Sequence, residues 1–122
     1  MKKRVFAFVF ALLIAVLIFN VSSLTMEPSG EKGVDLKPVF YHIAIFFFLA
    51  SFLLIAFDAE ANKFVLLAGI LISILYGISD EIHQHFVPGR AMSPIDVFYD
   101  SVGVISASVF YKMSNSLFNK KV

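Results

Sequence analysis

Residues 39–57 read VFYHIAIFFFLASFLLIAF and contain one strongly polar side chain, that of His42. A helix of roughly 20 apolar residues crosses the hydrocarbon core of a bilayer. A strand in lipid would leave backbone N–H and C=O groups without partners, so this stretch predicts a helix that spans a membrane.

Three further apolar segments accompany this one. Val5–Val21 follows a basic start, Phe64–Ser79 is uncharged, and Ile95–Tyr111 carries two aspartates in its first turns. These segments are at or slightly below the length of a membrane span, so each is expected to borrow a turn from its flanks. We predict an all-α polytopic membrane protein, a four-transmembrane-helix bundle in which residues 1–122 form a single domain. The predicted helices cover approximately residues 5–21, 39–57, 64–84 and 95–111.

The composition points away from a soluble protein. Hydrophobic residues make up 59% of the chain and charged residues 16%, against about 45–50% and about 25% in average soluble domains. Cysteine is absent, so any metal would have to use His, Asp or Glu. The net charge of +1 and the short basic start predict no nucleic-acid partner. Two alternatives stay open: a cleaved signal peptide at residues 5–21, and soluble-core helices in the third and fourth segments.

The basic residues predict the orientation. With four crossings both termini lie on one side, which holds seven Lys and Arg residues against three on the other. The positive-inside rule then places both termini in the cytoplasm of a bacterial cell, with the protein in the cytoplasmic (inner) membrane. The residues on the side of the termini are Lys2, Lys3, Arg4, Lys63, Lys112, Lys120 and Lys121, and those on the other side are Lys32, Lys37 and Arg90.

Most of the polar residues in or near the helices converge at the predicted outer end. Glu81 and His85 form an i, i+4 pair on one face of the third helix, and His42 lies about one turn into the second helix. A neighbouring face of the third helix carries, at i, i+4, i+7 and i+8, Tyr76, Asp80, His83 and Gln84.

The start of the fourth helix adds two carboxylates and a close-packing position. Asp96, Asp100 and Gly103 share one stripe, and Gly103 would let a neighbouring helix approach closely. Ser93 is the predicted N-cap, with Asp96 completing an approximate capping box. Arg90 is the one nearby cation for the four carboxylates of this end, so proton uptake, protonated histidines or a bound cation would relieve the excess of negative charge.

Three functional interpretations fit these residues. His42, the other histidines and the carboxylates offer ligands for a divalent metal such as zinc or manganese, although their spacing matches no metal motif. A His–carboxylate pair could perform acid–base chemistry on a lipid-linked headgroup, with Asp80, Glu81 and His83 as the candidate catalytic residues. Alternatively the site binds an amphiphile, with Arg90 holding its phosphate or carboxylate. The candidate ligand-binding residues are Gln84, Arg90, Asp96, Asp100, His42 and Tyr76.

The alternative to ligand binding or catalysis is a purely structural role. The polar residues would then only lock helices together, and the protein would assemble with other membrane proteins or as an oligomer. A transporter fits less well, because a single four-helix chain offers little interior and no broken helix in the middle of the membrane.

The sequence YGISDEIHQHFVPGR at residues 76–90 resembles the signature of the VanZ-like family. The similarity covers about residues 37–107, most of the chain after the first helix. The other matching positions are Lys37, His42, Ser93, Asp96 and Gly103.

The resemblance implies a four-helix bacterial envelope protein associated with low-level resistance to the glycopeptide teicoplanin. A lipid-linked envelope precursor or a lipoglycopeptide is the partner that it implies, next to the lipid bilayer itself. Family members commonly carry Asn at the position of Asp100, so this chain adds a charge there. Carried over by position, the motif residues are Asp80, Glu81, Gln84, Arg90 and Asp96, followed by His83 and His42.

Overall fold

The computed structural model describes residues 1–26 and 35–119, and within these ranges it is all-α. The predicted all-α class and the four helices are confirmed. Residues 27–34, the middle of the predicted first loop, and Lys120 and Lys121 lie outside the described residues. The helices are α1 (Lys2–Ser22), α2 (Leu36–Phe57), α3 (Lys63–His85) and α4 (Pro94–Asn119).

Each helix is longer than its apolar run, and local chemistry explains where the ends lie. Asp35 accepts a hydrogen bond from the N–H of Lys37 and starts α2 one turn before Val39. Pro38 is tolerated because a first-turn residue needs no N–H partner within the helix. Asn62 caps α3 in the same way, through the N–H of Phe64.

The fourth helix extends well past its predicted end at Tyr111. Residues 112–119 contain neither Gly nor Pro, so nothing in the chain interrupts the helix there. The extension is tied to the α2–α3 connection, because Asn119 donates to the Glu60 carboxylate at 2.6 Å and the Glu60 N–H donates to the Tyr111 hydroxyl at 3.3 Å. The last turns of α4 therefore lie at the same end of the bundle as the chain start.

Contacts between helix ends establish an up-and-down arrangement. At one end, Arg4 of α1 donates to the carbonyl of Ala56 near the end of α2. At the other end, Ser22 of α1 reaches Asp80 of α3, and His42 of α2 reaches Asp100 of α4. Helices α1 and α3 therefore run in one direction, and α2 and α4 in the other.

Small residues let the helices pack closely around α2. A Cβ on Gly103 would lie 3.0 Å from the backbone N of Phe47 and closer still to the carbonyl oxygen of Ile43, so α4 and α2 meet backbone to backbone there. The close approach that the sequence predicts at Gly103 is thus confirmed. The core formed around this contact contains Ala11, Ile18, Phe46, Leu49, Ala50, Val104 and Ala107.

The outside of the bundle is apolar. Helices α1, α2 and α3 are each long and apolar enough to cross a membrane. Large apolar side chains such as Phe6, Phe40 and Phe64 are exposed along their lengths, an arrangement that lipid solvates and water does not. The fourth helix, with its two aspartates, packs its buried face against α2 and α3. The protein is therefore a membrane protein in a lipid environment.

Candidate functional site

The buried charged residues meet at the end of the bundle opposite the termini. The ends of α1 and α3, the starts of α2 and α4, and the connecting segment 86–93 form this region, which we call the polar end. Its buried polar side chains are Ser22, His42, Asp80, Glu81, Gln84 and Asp100.

His42 and Asp100 form the closest pair of charged groups between α2 and α4. The Nδ1 atom of His42 lies 2.8 Å from Oδ1 of Asp100, and both side chains are buried. The second ring nitrogen of His42, Nε2, lies 3.7 Å from Oδ2 of Asp96. The pair can form because Gly103, one turn beyond Asp100, brings the two helices together.

Glu81 approaches this pair from α3. Its side chain is 1% exposed, and its Oε2 accepts a hydrogen bond from the backbone N–H of Ser93 at 2.9 Å. This contact corrects the predicted capping box, because Glu81 of another helix takes the Ser93 N–H that Asp96 was expected to accept. Acceptor atoms of His42, Glu81 and Asp100 lie within 4.8 Å of one another.

A second group joins α1 to α3. The Ser22 hydroxyl donates to Oδ2 of Asp80 at 2.8 Å, and Gln84 Nε2 donates to the same oxygen at 3.1 Å. Gln84 also lies 3.2 Å from the Ser22 hydroxyl oxygen. The sequence does not predict Ser22 as a site residue, because the first predicted helix ends at Val21. Its position at the end of an apolar helix, at the same membrane depth as Asp80, is the sequence feature that could have predicted this contact.

Arg90 does not neutralise the carboxylates as the sequence suggested. Its Nε donates to the carbonyl of Leu24 at 2.9 Å and one terminal nitrogen donates to the carbonyl of Val21 at 3.0 Å. Within the described residues it forms no ion pair with the four carboxylates that α3 and α4 contribute, which are Asp80, Glu81, Asp96 and Asp100. The last carbonyls of a helix lack partners within the helix, so the end of α1 offers acceptors to a cation.

Of the remaining candidates on α3, two contact α1 or the residue after it and one is exposed. His83 stacks on Phe19 with ring centroids 4.7 Å apart, and its Nε2 lies 2.9 Å from the Ser23 hydroxyl. Tyr76 donates to the carbonyl of Ala15. The face predicted for Tyr76, Asp80, His83 and Gln84 is therefore the face that contacts α1. His85, predicted beside Glu81, is exposed and is not brought into the buried site.

A cavity of about 260 Å³ opens beside both groups. His42 and Gln84 line its inner side, and the cations Lys37 and Arg90 line it together with the carboxylate of Asp35. Tyr41 also lines the cavity and was missed, because an isolated interfacial tyrosine carries no sequence signal that separates it from a packing residue.

This arrangement can perform two kinds of chemistry. An imidazole held at Nδ1 by a buried carboxylate has its ring orientation set and presents Nε2 for proton transfer or metal binding. Two cations against one carboxylate, that of Asp35, in the lining of a cavity can hold an anionic group.

The comparison with protein families agrees with the motif at residues 76–90. The VanZ/LLP1 family model matches residues 4–118 of the 122-residue chain. No curated protein and no solved structure matches the chain in the corresponding comparisons. Since the family match spans all four helices, the chain belongs to the VanZ/LLP1 family.

Proposed function

We propose that this VanZ-like envelope protein binds or acts on the anionic head of an amphiphilic envelope ligand, and that it thereby confers low-level teicoplanin resistance. The observation that carries the proposal is the cavity at the polar end, where Lys37 and Arg90 stand beside His42 and Gln84. The ligand class is a lipid-linked envelope precursor or a lipid-tailed glycopeptide.

The distribution of cations supports an outward-facing cavity. Among the described residues, Lys2, Lys3, Arg4, Lys63 and Lys112 lie at or near the end of the bundle that holds the termini. Of the Lys and Arg residues within 1–26 and 35–119, only Lys37 and Arg90 lie at the polar end. The positive-inside rule then orients the polar end toward the outer face of the bacterial inner membrane.

The size and charge of the cavity favour a headgroup. Its volume of about 260 Å³ is below the roughly 300–1,000 Å³ of sites that enclose a drug-sized ligand. A phosphate or carboxylate head fits this space, and the acyl chain of the ligand would lie along the exposed apolar helices. Arg90 bonds to the carbonyl of Val21 in α1 and to that of Leu24 just beyond it, which orients its guanidinium. These bonds use two of its five N–H groups, so the remaining N–H groups can hold an anion.

An acid–base step is assigned to His42 with Asp100. His42 lines the cavity, and the Asp100 carboxylate at Nδ1 favours the neutral tautomer in which Nε2 accepts a proton. This pair is a stronger catalytic candidate than His83, whose ring stacks on Phe19 of α1. In this proposal Asp80 and Gln84 position the end of α1, and Glu81 positions the connection to α4.

One observation favours the structural alternative. Ser22, Asp80 and Gln84 bond to one another across α1 and α3, as residues that only lock two helices together would do. In that case the protein serves as an assembly partner of other membrane proteins, and the cavity binds nothing.

The test compares teicoplanin sensitivity in cells that express wild type, Lys37→Gln or Arg90→Ala. Lys112→Gln is the matched control, because it removes the same charge at the opposite end of the bundle. Membrane abundance is measured in parallel, since Arg90 also holds the end of α1. We expect Lys37→Gln to lower protection at unchanged abundance while Lys112→Gln keeps it.

Two results would count against the proposal. Protection that survives both cavity substitutions at normal abundance would favour the structural alternative. If cells that express the wild type are no better protected than cells with an empty vector, the proposed role in teicoplanin resistance is wrong. Mass spectrometry of the purified protein, which detects co-purified lipids, then tests the binding role separately.

A further inference from the structure

We propose that His42, Glu81 and Asp100, with Asp96 beside them, bind one divalent transition-metal cation of the Mn²⁺ or Zn²⁺ type. The inference does not depend on anion binding in the cavity. The two proposals share His42, and a cation on His42 would replace the acid–base role of that residue.

The geometry brings three ligand types together from three helices. His42 comes from α2, Glu81 from α3 and Asp100 from α4, and one ligand atom of each lies within 4.8 Å of the others. With metal–ligand bonds of about 2.0–2.2 Å, neighbouring ligands of one cation are about 3–4 Å apart. Side-chain rotations that shift the ligand atoms by less than about 1 Å therefore bring them to the separation that one cation requires, and the helices need not move.

Two carboxylate oxygens in this group lack a hydrogen-bond partner among the described residues: Oε1 of Glu81 and Oδ2 of Asp100. Both side chains are 1% exposed. The Asp100 oxygen points at α3, because a Cβ on Gly77, one turn before Glu81, would lie 2.9 Å from it. A buried carboxylate oxygen without a partner is costly, and a bound cation removes that cost.

The excess of negative charge also favours a bound cation. Three carboxylates, Glu81, Asp96 and Asp100, surround a single imidazole, and Arg90 instead donates to the carbonyls of α1. The separation of 3.7 Å between His42 Nε2 and Asp96 Oδ2 is too long for a hydrogen bond. The Asp96 carboxylate therefore gains no hydrogen bond from His42, and the excess of negative charge at this group remains.

The contacts around the group resemble those that orient metal ligands. A ligating histidine usually donates its other ring N–H to a carboxylate, which fixes the ring. With Nδ1 of His42 on the cation beside Asp100, the other ring nitrogen, Nε2, faces the Asp96 carboxylate. The Ser93 N–H holds Oε2 of Glu81 and leaves Oε1 for the cation.

The donor set selects the metal. One imidazole with several carboxylates suits Mn²⁺ and Zn²⁺, whereas Mg²⁺ keeps most of its waters and seldom takes a buried all-protein site. A metal site with thiolate ligands is excluded because the chain has no cysteine.

The experiment measures metal binding to the full chain purified in detergent. After EDTA treatment and its removal, the protein is titrated with Mn²⁺ or Zn²⁺, and bound metal is counted by elemental analysis. We expect one equivalent per chain, and an affinity lowered at least about tenfold in Glu81→Gln and Asp100→Asn, because even outer-shell changes cost roughly 10–100-fold. Asp80→Asn is the matched control: it removes a buried carboxylate at the same end of the bundle but outside the group.

A spectroscopic measurement on the wild type does not depend on how well the variants fold. Bound Mn²⁺ should show electron spin-echo coupling to an imidazole nitrogen in the wild type, and His42→Gln should lose it. Wild-type protein that binds no metal stoichiometrically would overturn the proposal, and the carboxylates would then share protons instead. Equal loss in Asp80→Asn and Asp100→Asn would also overturn it.

Discussion

Gly103→Ala tests whether the backbone contact between α4 and α2 holds the polar end together. A Cβ at this position would lie 3.0 Å from the N of Phe47 and closer to the carbonyl oxygen of Ile43, whereas ordinary contact begins at 3.4 Å. The shortfall is about 0.4 Å at Phe47, from 3.0 Å against 3.4 Å, and larger at Ile43. Both atoms belong to the backbone of α2, so no side chain can turn away and the two helices must separate.

The magnitude follows from two opposing terms. Overpacking of a tight interface costs about 1–3 kcal/mol, and a clash with backbone belongs in the upper part of that range. Replacing Gly by Ala inside a helix returns about 0.8–1.0 kcal/mol. We expect a net loss of about 1–2 kcal/mol of stability. Separation of the helices also lengthens the bond between His42 and Asp100, one turn away, which measures 2.8 Å in the intact bundle.

The assay is reversible unfolding of the purified protein in mixed micelles, followed by far-ultraviolet circular dichroism. Gly69→Ala is the matched control, since the nearest atom to its Cβ would be the end of the Leu54 side chain at 2.8 Å, and none of its near contacts is backbone. Gly69→Ala should therefore cost less stability than Gly103→Ala. If Gly103→Ala is as stable as Gly69→Ala, the close contact of α4 with α2 is not what holds this end together, and the reasoning fails.

Two further predictions concern the contacts of α1 with the polar end. Ser22→Ala removes one of the two donors to the buried Asp80 carboxylate and should cost about 1–3 kcal/mol in the same unfolding assay. Ser79→Ala should stay within about 0.5 kcal/mol, because its hydroxyl is exposed and bonds within its own helix; similar losses in both variants would contradict the role of Ser22. Gly89→Ala should speed amide hydrogen exchange in residues 86–93, since Gly89 has a φ of 78° and its missing Cβ leaves room for the carbonyl of Met26. Unchanged exchange in Gly89→Ala would show that the segment tolerates a side chain there.

Helical periodicity correctly predicted which residues of α3 face together. Tyr76, Asp80, His83 and Gln84 share one face, as their spacing predicted, and the structure places that face against α1. Spacing along one helix is a local property, so the sequence alone is sufficient to establish it. The apolar lengths of the four segments predicted the helices for the same reason, although the caps that extend them were found only in the structure.

The predicted partners of the charged residues were less accurate. Arg90 was assigned to the carboxylates by proximity in sequence and by charge, yet it donates to the carbonyls at the end of α1. Asp96 was assigned to the Ser93 N–H, which Glu81 accepts instead. Both predictions considered only charged side chains. The actual partners include backbone C=O and N–H groups at helix ends, which have no partner within their own helix.

The order of apolar and polar residues along the chain thus accounts for an all-α membrane bundle and for a polar end opposite the termini. It does not account for the meeting of His42, Glu81 and Asp100, which come from three different helices. That meeting depends on how far each helix is rotated and on how closely Gly103 lets α4 approach α2. The rotation of each helix and the distance between α4 and α2 are set by packing between helices. The spacing of residues along one helix does not determine either of them.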